Sequence, residues 1–246
     1  MNTPGTTPRG TATEDQAARY VRGMFGRVAH RYDVLNHVLS FQTDRYWRAR
    51  TVRRVAPILR RPDARVMDLC CGTGDLLLAL EKERGGRVFG SDFCHPMLVE
   101  ARRKVQRGQG ASVLFEADAL DMPVADGSLD LITVAFGFRN FANYRKGLHE
   151  MKRLLRPGGC LAILEFSQPP NRLFAAAYRF YSLRVLPWIG GLISGDRDAY
   201  TYLPESVKKF PGAEDLAAEM RTAGFGDVRF ERMTFGVVAL HLGYVR

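Results

Sequence analysis

Val66-Met67-Asp68-Leu69-Cys70-Cys71-Gly72-Thr73-Gly74-Asp75 is the stretch of the chain that decides its fold. A short strand carrying the acid Asp68 runs into a Gly-x-Gly turn, and a helical pattern begins at Asp75. Glycines in such a turn let the backbone approach a ligand closely, and the N-terminus of the following helix offers free N–H groups. This stretch therefore predicts a ligand-binding strand–turn–helix unit.

Short apolar or β-branched runs alternate with helical patterns on either side of this turn. Such alternation is typical of βαβ units in a mostly parallel sheet, so we expect an α/β fold. The expected strands cover 65–69, 87–90, 113–115, 131–136, 160–166, 228–233 and 237–245. The expected helices cover 75–83, 96–105, 144–155 (ended by the turn 156–159) and 214–223.

The chain is expected to form one domain over residues 14–246. Its parts are an N-terminal helical cap (14–61, with helices over 14–39 and 45–59), a cofactor-binding core (64–167), an aromatic helical insertion (168–212), and a closing helix and strands (213–246). Residues 1–13 are rich in Thr, Pro and Gly, which predicts a disordered leader.

Composition excludes several classes of protein. Of 246 residues, 46% are hydrophobic and 11% aromatic, so the chain is not intrinsically disordered. The cysteines have no C-x-x-C spacing, which argues against zinc and thioredoxin-type sites and for reduced thiols; no metal site is expected. These cysteines are Cys70, Cys71, Cys94 and Cys160. The net charge of +10 predicts an anionic partner, which could be nucleic acid, lipid headgroups or a charged substrate.

The most lipophilic segment, 173–193, is interrupted by Arg179, Arg184 and Pro187. A spanning helix needs about 20 mostly apolar residues, so this segment is not expected to cross a bilayer. Arg172 and Arg179 lie seven positions apart and thus on one helical face, which favours an amphipathic element at a membrane surface. The alternatives are a buried helix or a cover over a substrate channel.

The Gly-x-Gly turn distinguishes between cofactor classes. A P-loop needs Gly-Lys-Ser/Thr, which is missing here, and a dinucleotide fingerprint needs a third glycine where this chain has Leu77. The remaining class is S-adenosylmethionine. Asp92 ends the second strand and can accept both ribose hydroxyls, while Asp118, just after the third strand, can accept from the adenine amine.

Segments throughout the chain resemble the UbiE/MenG quinone C-methyltransferases of the class I superfamily. They are Tyr32-Asp33-Val34-Leu35-Asn36 with Ser40 and Arg45-Tyr46-Trp47, Phe136-Gly137-Phe138-Arg139-Asn140, Arg156-Pro157-Gly158-Gly159 with Leu164-Glu165-Phe166-Ser167, and Tyr200-Thr201-Tyr202-Leu203-Pro204-Glu205-Ser206 with Phe210-Pro211. The chain departs from the family pattern at Leu35 (usually Met), Gln42 (Gly), Asp44 (His) and Ala135 (Ser in some members, where it contacts the cofactor).

The resemblance implies a Rossmann-like, class I methyltransferase fold with a mostly parallel seven-stranded sheet and helices on both faces. It implies methyl transfer from S-adenosylmethionine to a ring carbon of a prenylated quinol: demethylmenaquinol, or in some members a benzoquinol of ubiquinone biosynthesis. Around the cofactor it implies Thr73, Asp92, Asp118 and Ala119, with Ala135 at the position described above. Our reading of the turn adds Asp68, Gly72 and Gly74.

Carbon methylation needs an electron-rich ring, so the site should stabilise a quinolate and remove a ring proton. Arg139 and Asn140, after the fourth strand, are expected to bind a quinol oxygen, and Tyr32 and Asp33 are expected to be catalytic. The candidates for the general base are Asp33, His30, Tyr32 and Glu165, or a water that they hold. His37, His95 and His149 are expected to be structural.

The main rivals are a nucleic-acid methyltransferase or another small-molecule methyltransferase of the same fold. The loop 136–140 has no proline, and Cys160 does not follow one, so neither amine nor RNA carbon methylation is favoured and no nucleic-acid partner is expected. A sensor of S-adenosylmethionine would not need Arg139 and Asn140. We expect a cytoplasmic enzyme, peripherally bound to the anionic inner face of the cytoplasmic membrane, with a homodimer as one option.

Overall fold

The computed structural model describes residues 5–181, 184 and 197–246, without the side chains of residues 35 and 197–201. Within this part, seven strands form one sheet in the order β3-β2-β1-β4-β5-β7-β6. The strands are β1 (Val66–Leu69), β2 (Phe89–Asp92), β3 (Val113–Glu116), β4 (Leu129–Ala135), β5 (Leu155–Phe166), β6 (Val228–Met233) and β7 (Val238–Tyr244). Strands β1 to β5 are parallel and β7 runs antiparallel to both neighbours. The expected mostly parallel sheet is confirmed.

Helices cover both faces of the sheet. They are α1 (Glu14–Val28), α2 (Tyr32–Leu39), α3 (Thr43–Leu59), α4 (Asp75–Arg84), α5 (His95–Arg107), α6 (Tyr144–Leu154), α7 (Arg172–Phe180), α8 (Arg197–Lys209) and α9 (Ala213–Thr222). Successive side chains of a strand point to opposite faces. Accordingly, Met67 joins one buried cluster with Leu148 of α6, and Val66 joins the other with Leu59 of α3 and Leu77 of α4.

The N-terminal cap differs from the single helix expected over 14–39. A 3₁₀ turn over Ala29–Arg31 separates α1 from α2. At this turn Ala29 is buried and packs with Cys94 and Met97 of the α5 region. Tertiary packing against α5 therefore redirects a segment whose local pattern favours one continuous helix.

Of the expected disordered leader, residues 1–4 lie outside the described residues, and residues 5–13 make specific contacts with other parts of the chain. Thr6 is 6% exposed and its N–H donates to the carbonyl of Phe141 (2.8 Å). Arg9 pairs with Glu205 (2.6 Å), and Thr13 caps α1 by accepting from the Gln16 amide (3.2 Å). Composition alone could not reveal these long-range partners.

The insertion contributes α7 and α8 to the described part of the chain. Of the lipophilic segment 173–193, residues 182–183 and 185–193 lie outside the described residues, and residues 194–196 do so as well. None of the described helices combines the length and apolar character that crossing a bilayer requires.

Candidate active site

A crevice of about 780 Å³ lies at the carboxyl ends of the parallel strands, beneath the N-terminal cap. Ala18 and Phe25 of α1 and Tyr32 of α2 line it from the cap side. Ligands of open α/β sheets bind at this edge. The predicted site residues that line it are Tyr32, Gly72, Asp92, Asp118, Ala119, Ala135 and Asn140.

The two glycines of the turn between β1 and α4 have different structural roles. Gly72 (φ +54°) has open space where a Cβ would stand, so its backbone is accessible to a ligand. Gly74 (φ +88°) lies against α5, where a Cβ would stand 3.3 Å from the Cβ of Ala101. Positive φ favours glycine at both positions. Gly72 thus leaves room at the crevice, while Gly74 allows close helix packing.

Asp92 places a buried carboxylate in the wall of the crevice. Its Oδ2 accepts from the N–H of Gly72 and its Oδ1 from the N–H of Cys94, both at 2.9 Å. Burial raises its pKa to about 6. Each carboxylate oxygen can accept further bonds, so Asp92 can receive the ribose hydroxyls of a nucleoside while it holds the Gly-x-Gly turn.

Asp68 and Thr73, predicted to contact the cofactor, lie behind the lining of the crevice, as does Gly74. Asp68 is 1% exposed; its Oδ1 accepts from Thr133 Oγ1 (2.6 Å), and its Oδ2 has no partner among the described residues. Burial raises the pKa of Asp68 to about 7. Such a carboxylate suits a cationic ligand, which fits the ammonium and sulfonium groups of S-adenosylmethionine.

Asp33 and His30, two of the candidates for the general base, bind side chains of other elements. Asp33 pairs with Lys104 Nζ (2.6 Å) and accepts from Thr73 Oγ1 (2.5 Å), so it joins α2 to α5 and to the turn. The His30 side chain is 73% exposed and binds Glu100 (2.7 Å). Neither residue lines this crevice or the larger cavity that adjoins it.

A second and larger cavity of about 1570 Å³ adjoins the crevice. Phe25, Tyr32 and Phe136 line both spaces. The second cavity is rich in aromatic side chains from the cap, from β5 and from α7 and the residues just after it. These are Trp47, Phe166, Phe174, Tyr178 and Tyr181. Two ligands bound in these spaces would meet at Tyr32 and Phe136.

Arg139 lines the second cavity and is 4% exposed. Its Nη1 lies 2.8 Å from Glu165 Oε1, and its guanidinium lies over the ring of Phe166, 5.2 Å from the centroid. Its Nε has no partner within the described part of the structure. Glu165 therefore balances the charge, while one buried N–H is left available to a ligand.

Sequence reasoning missed a polar group at the other side of this cavity. Arg48 lines the cavity and bonds Asp44, which also accepts from Ser40 (2.7 Å) and contacts His37 Nδ1 (2.8 Å). His37, expected to be structural, thus has a partner that the sequence does not reveal, and His95 likewise contacts Glu116 (3.0 Å). The i, i+4 spacing of Asp44 and Arg48 was the available signal.

Solved structures share this fold at low sequence identity. A methyltransferase of Thermotoga maritima that depends on S-adenosylmethionine aligns with a TM-score of 0.65 at 18% identity, over 91% of this chain and 99% of that one. The [4+2]-cyclase SpnF aligns with a TM-score of 0.63 at 13% identity, over 98% of each chain. These likenesses establish the class I methyltransferase fold.

Other proteins share a much higher sequence identity with this chain. The demethylmenaquinone methyltransferase of Thermus thermophilus is 53% identical over 89% of this chain and 99% of its own length. That of Deinococcus radiodurans is 48% identical over 91% of each chain, and the UbiE C-methyltransferase of Paracoccus denitrificans is 40% identical over 95% and 94%. The model of the ubiE/COQ5 methyltransferase family matches residues 11–245. The chain therefore belongs to the ubiE/COQ5 methyltransferase family.

Proposed function

We propose that this protein transfers a methyl group from S-adenosylmethionine to a ring carbon of a prenylated quinol, with demethylmenaquinol as the principal substrate. The observation that carries the proposal is the contact of the cofactor crevice with a large aromatic cavity at Tyr32 and Phe136. The names of the Thermus and Deinococcus relatives support the choice of substrate.

The cofactor supplies an electrophilic methyl group on a positively charged sulfur. Asp92 is assigned to the ribose hydroxyls and Asp118 to the adenine amine, because both line the crevice. The buried carboxylate of Asp68 is assigned to the positive charge of the amino-acid part. Gly72 leaves the backbone of the turn open to that part.

Arg139 is assigned to the substrate oxygen. A quinone ring is electron-poor, whereas a quinol is electron-rich, and more so once a hydroxyl has lost its proton. The unpartnered Nε–H of Arg139 supports a bond to that oxygen, and its fixed positive charge would stabilise the quinolate. Glu165 holds the guanidinium through Nη1, so the oxygen-binding N–H is oriented before the substrate arrives.

The ring proton must leave after the new carbon–carbon bond forms. The ring carbon is then tetrahedral, the electron pair of the broken carbon–sulfur bond stays on sulfur, and loss of the proton restores the aromatic ring. Of the base candidates, Tyr32 lines both cavities, but burial raises its pKa, so it is a neutral phenol at pH 7. We therefore assign the proton to a water that Tyr32 holds.

Exposed apolar side chains on the outer side of the large cavity support membrane association. On α7, Phe174 and Tyr178 line the cavity, whereas Leu173 (84% exposed) and Phe180 (65%) point outward. Phe41 (73%) lies next to α7 through Tyr181, with ring centroids 5.9 Å apart. Exposed apolar side chains flanked by Arg172 and Arg179 suit an anionic lipid surface, where a prenyl tail resides. We accordingly propose a cytoplasmic enzyme that binds the inner membrane surface.

Turnover with a labelled methyl donor tests this function. Purified protein would be offered a reduced prenylated naphthoquinol, the corresponding benzoquinol, the oxidised naphthoquinone and bulk RNA. We expect the label in the reduced naphthoquinol and none in the oxidised form, with the cofactor binding equally in both cases. Label in RNA, or none in either quinol, would refute the proposal.

A further inference from the structure

A chain of hydrogen bonds joins three segments that are distant in sequence. Thr6 Oγ1 lies 2.8 Å from the hydroxyl of Tyr202, and that hydroxyl donates to Asn140 Oδ1 at 2.9 Å. Thr6 belongs to residues 5–13, Tyr202 to α8, and Asn140 to the 3₁₀ turn after β4. Thr6 and Tyr202 are each 6% exposed, so these bonds are protected from water.

The direction of each bond follows from the number of hydrogens available. A phenol carries one hydrogen, and here it is given to Asn140, so Thr6 must donate to the phenol oxygen. Asn140 Oδ1 is thereby occupied, and its Nδ2 donates one hydrogen to the Phe136 carbonyl at 3.4 Å. The amide therefore has one favoured orientation, in which the second N–H of Nδ2 remains available to a ligand.

This orientation matters because of where the residues lie. Asn140 lines the cofactor crevice, and Tyr202 lines the adjoining aromatic cavity. An amide that presents N–H can donate to an oxygen of the substrate or the cofactor, whereas a flipped amide would present a lone pair and repel it. We propose that Tyr202 is a positioning residue that fixes the Asn140 amide in its donating orientation, and that Thr6 fixes Tyr202.

Contacts of Gly5 and Thr7 fix the backbone on both sides of Thr6. Gly5 has φ +137°, and a Cβ there would stand 2.0 Å from the carbonyl oxygen of Ala142, so the segment approaches the 3₁₀ turn as only glycine permits. Lys209 Nζ donates to the carbonyl of Thr7 (2.8 Å). Residues 5–9 thus contact both the turn that carries Asn140 and the helix that carries Tyr202.

The first test is a double-mutant cycle, and it rests on the proposed function because turnover is one readout. Tyr202→Phe keeps the ring but removes the hydroxyl, and should lower kcat about tenfold while the cofactor Kd changes less than twofold. In an Asn140→Ala background the same change should have no further effect on kcat. Equal losses in both backgrounds would mean that Tyr202 has only a structural role and would overturn the proposal.

Thr6 variants supply the matched comparison. Thr6→Val should lower kcat and Thr6→Ser should retain it, whereas Thr222→Val, an exposed change at the end of α9, should leave it unchanged. Gly5→Ala should have at least the effect of Thr6→Val, because it displaces the whole segment. If Thr6→Val and Gly5→Ala each had the kcat of the wild type, Thr6 would have no role in positioning Tyr202.

A readout without turnover separates this inference from the proposed function. The side-chain NH₂ resonances of Asn140 should shift or broaden in Tyr202→Phe and Thr6→Val, and not in Thr222→Val. Unchanged resonances in the first two variants would overturn the positioning role even in an active enzyme. Conversely, a wild-type protein that methylates no quinol would refute the proposed function and leave this NMR result to decide the inference.

Discussion

Arg139 and Glu165 form a buried ion pair between the segments at the ends of two neighbouring parallel strands, with Nη1 and Oε1 2.8 Å apart. Oε2 of the same carboxylate accepts from the Arg139 backbone N–H (3.1 Å). Glu165 thus fixes both the side chain and the backbone of Arg139. A lysine has a flexible side chain that ends in a single ammonium group, so it could not reproduce the planar arrangement of donors in the guanidinium.

We therefore predict that Arg139→Lys retains cofactor affinity and loses turnover. A donor that acts on the developing charge typically contributes about 3–4 kcal/mol, so kcat should fall a hundredfold or more. Raising the pH should partly rescue the variant, because quinol ionisation would then need less help from the protein. Steady-state kinetics with reduced substrate over a pH series measures this, and wild-type kcat would contradict the role given to Arg139.

Cofactor affinity should depend on pH through buried carboxylates. The pKa values of Asp92 and Asp68 are raised to about 6 and about 7, and a cationic ligand favours their ionised forms. The cofactor Kd should therefore fall as pH rises from 5 to 7. Without the cofactor, folding stability should change in the opposite direction. Both pKa values are raised in the folded protein, so the folded state binds more protons than the unfolded state, and the free energy of unfolding falls as pH rises through the same window.

Asp92→Asn should raise the Kd about tenfold or more and flatten its dependence on pH, because the charge-assisted bonds are lost. Asp63→Asn, an exposed change in the turn before β1, is the matched control and should behave as wild type. Calorimetry at several pH values makes the comparison. A Kd in Asp92→Asn equal to that of the wild type would exclude Asp92 from the cofactor site.

Gln42→Gly should stabilise the protein. Gln42 is exposed, precedes α3 and has φ +64°, a conformation that costs side-chain-bearing residues roughly 1–2 kcal/mol and glycine nothing. Since glycine adds about 0.5–1 kcal/mol of chain entropy to the unfolded state, the net gain should be at most about 1.5 kcal/mol. Arg102→Gly, an exposed change in the interior of α5, should instead destabilise by about 1 kcal/mol. Urea unfolding distinguishes the two outcomes, and a loss of stability in Gln42→Gly would contradict the strain.

Membrane binding should depend on the outer face of α7. Leu173→Ser combined with Phe180→Ser should reduce co-sedimentation with anionic liposomes, because both side chains are exposed and apolar. Val113→Ser removes an exposed apolar residue (41%) on edge strand β3 and serves as the control. Binding of the wild type should weaken as salt is raised. No binding by the wild type, or no difference between the variants, would contradict docking through α7.

The sequence predicted the sheet well because strand patterns and Gly-x-Gly turns are local. Within the site, the sequence could not predict the direction of each side chain or its partners from distant parts of the chain. Tyr32 and Asp33 are neighbours, but successive residues of a helix point about 100° apart, so Tyr32 faces the cavities while Asp33 faces Lys104. Similarly, the sequence suggests Glu165 as a base candidate, whereas in the structure its carboxylate accepts from the guanidinium of Arg139, 26 positions earlier in the chain.

The Thr6–Tyr202 bond spans 196 positions of the chain, and this separation orders the events of folding. Contacts so distant in sequence form only after the intervening elements have brought their ends together. During refolding the turn at Gly72 should therefore become competent to bind the nucleoside before Asn140 acquires its orientation. Ligand binding would then recover earlier than catalysis, with residues 5–13 docking last.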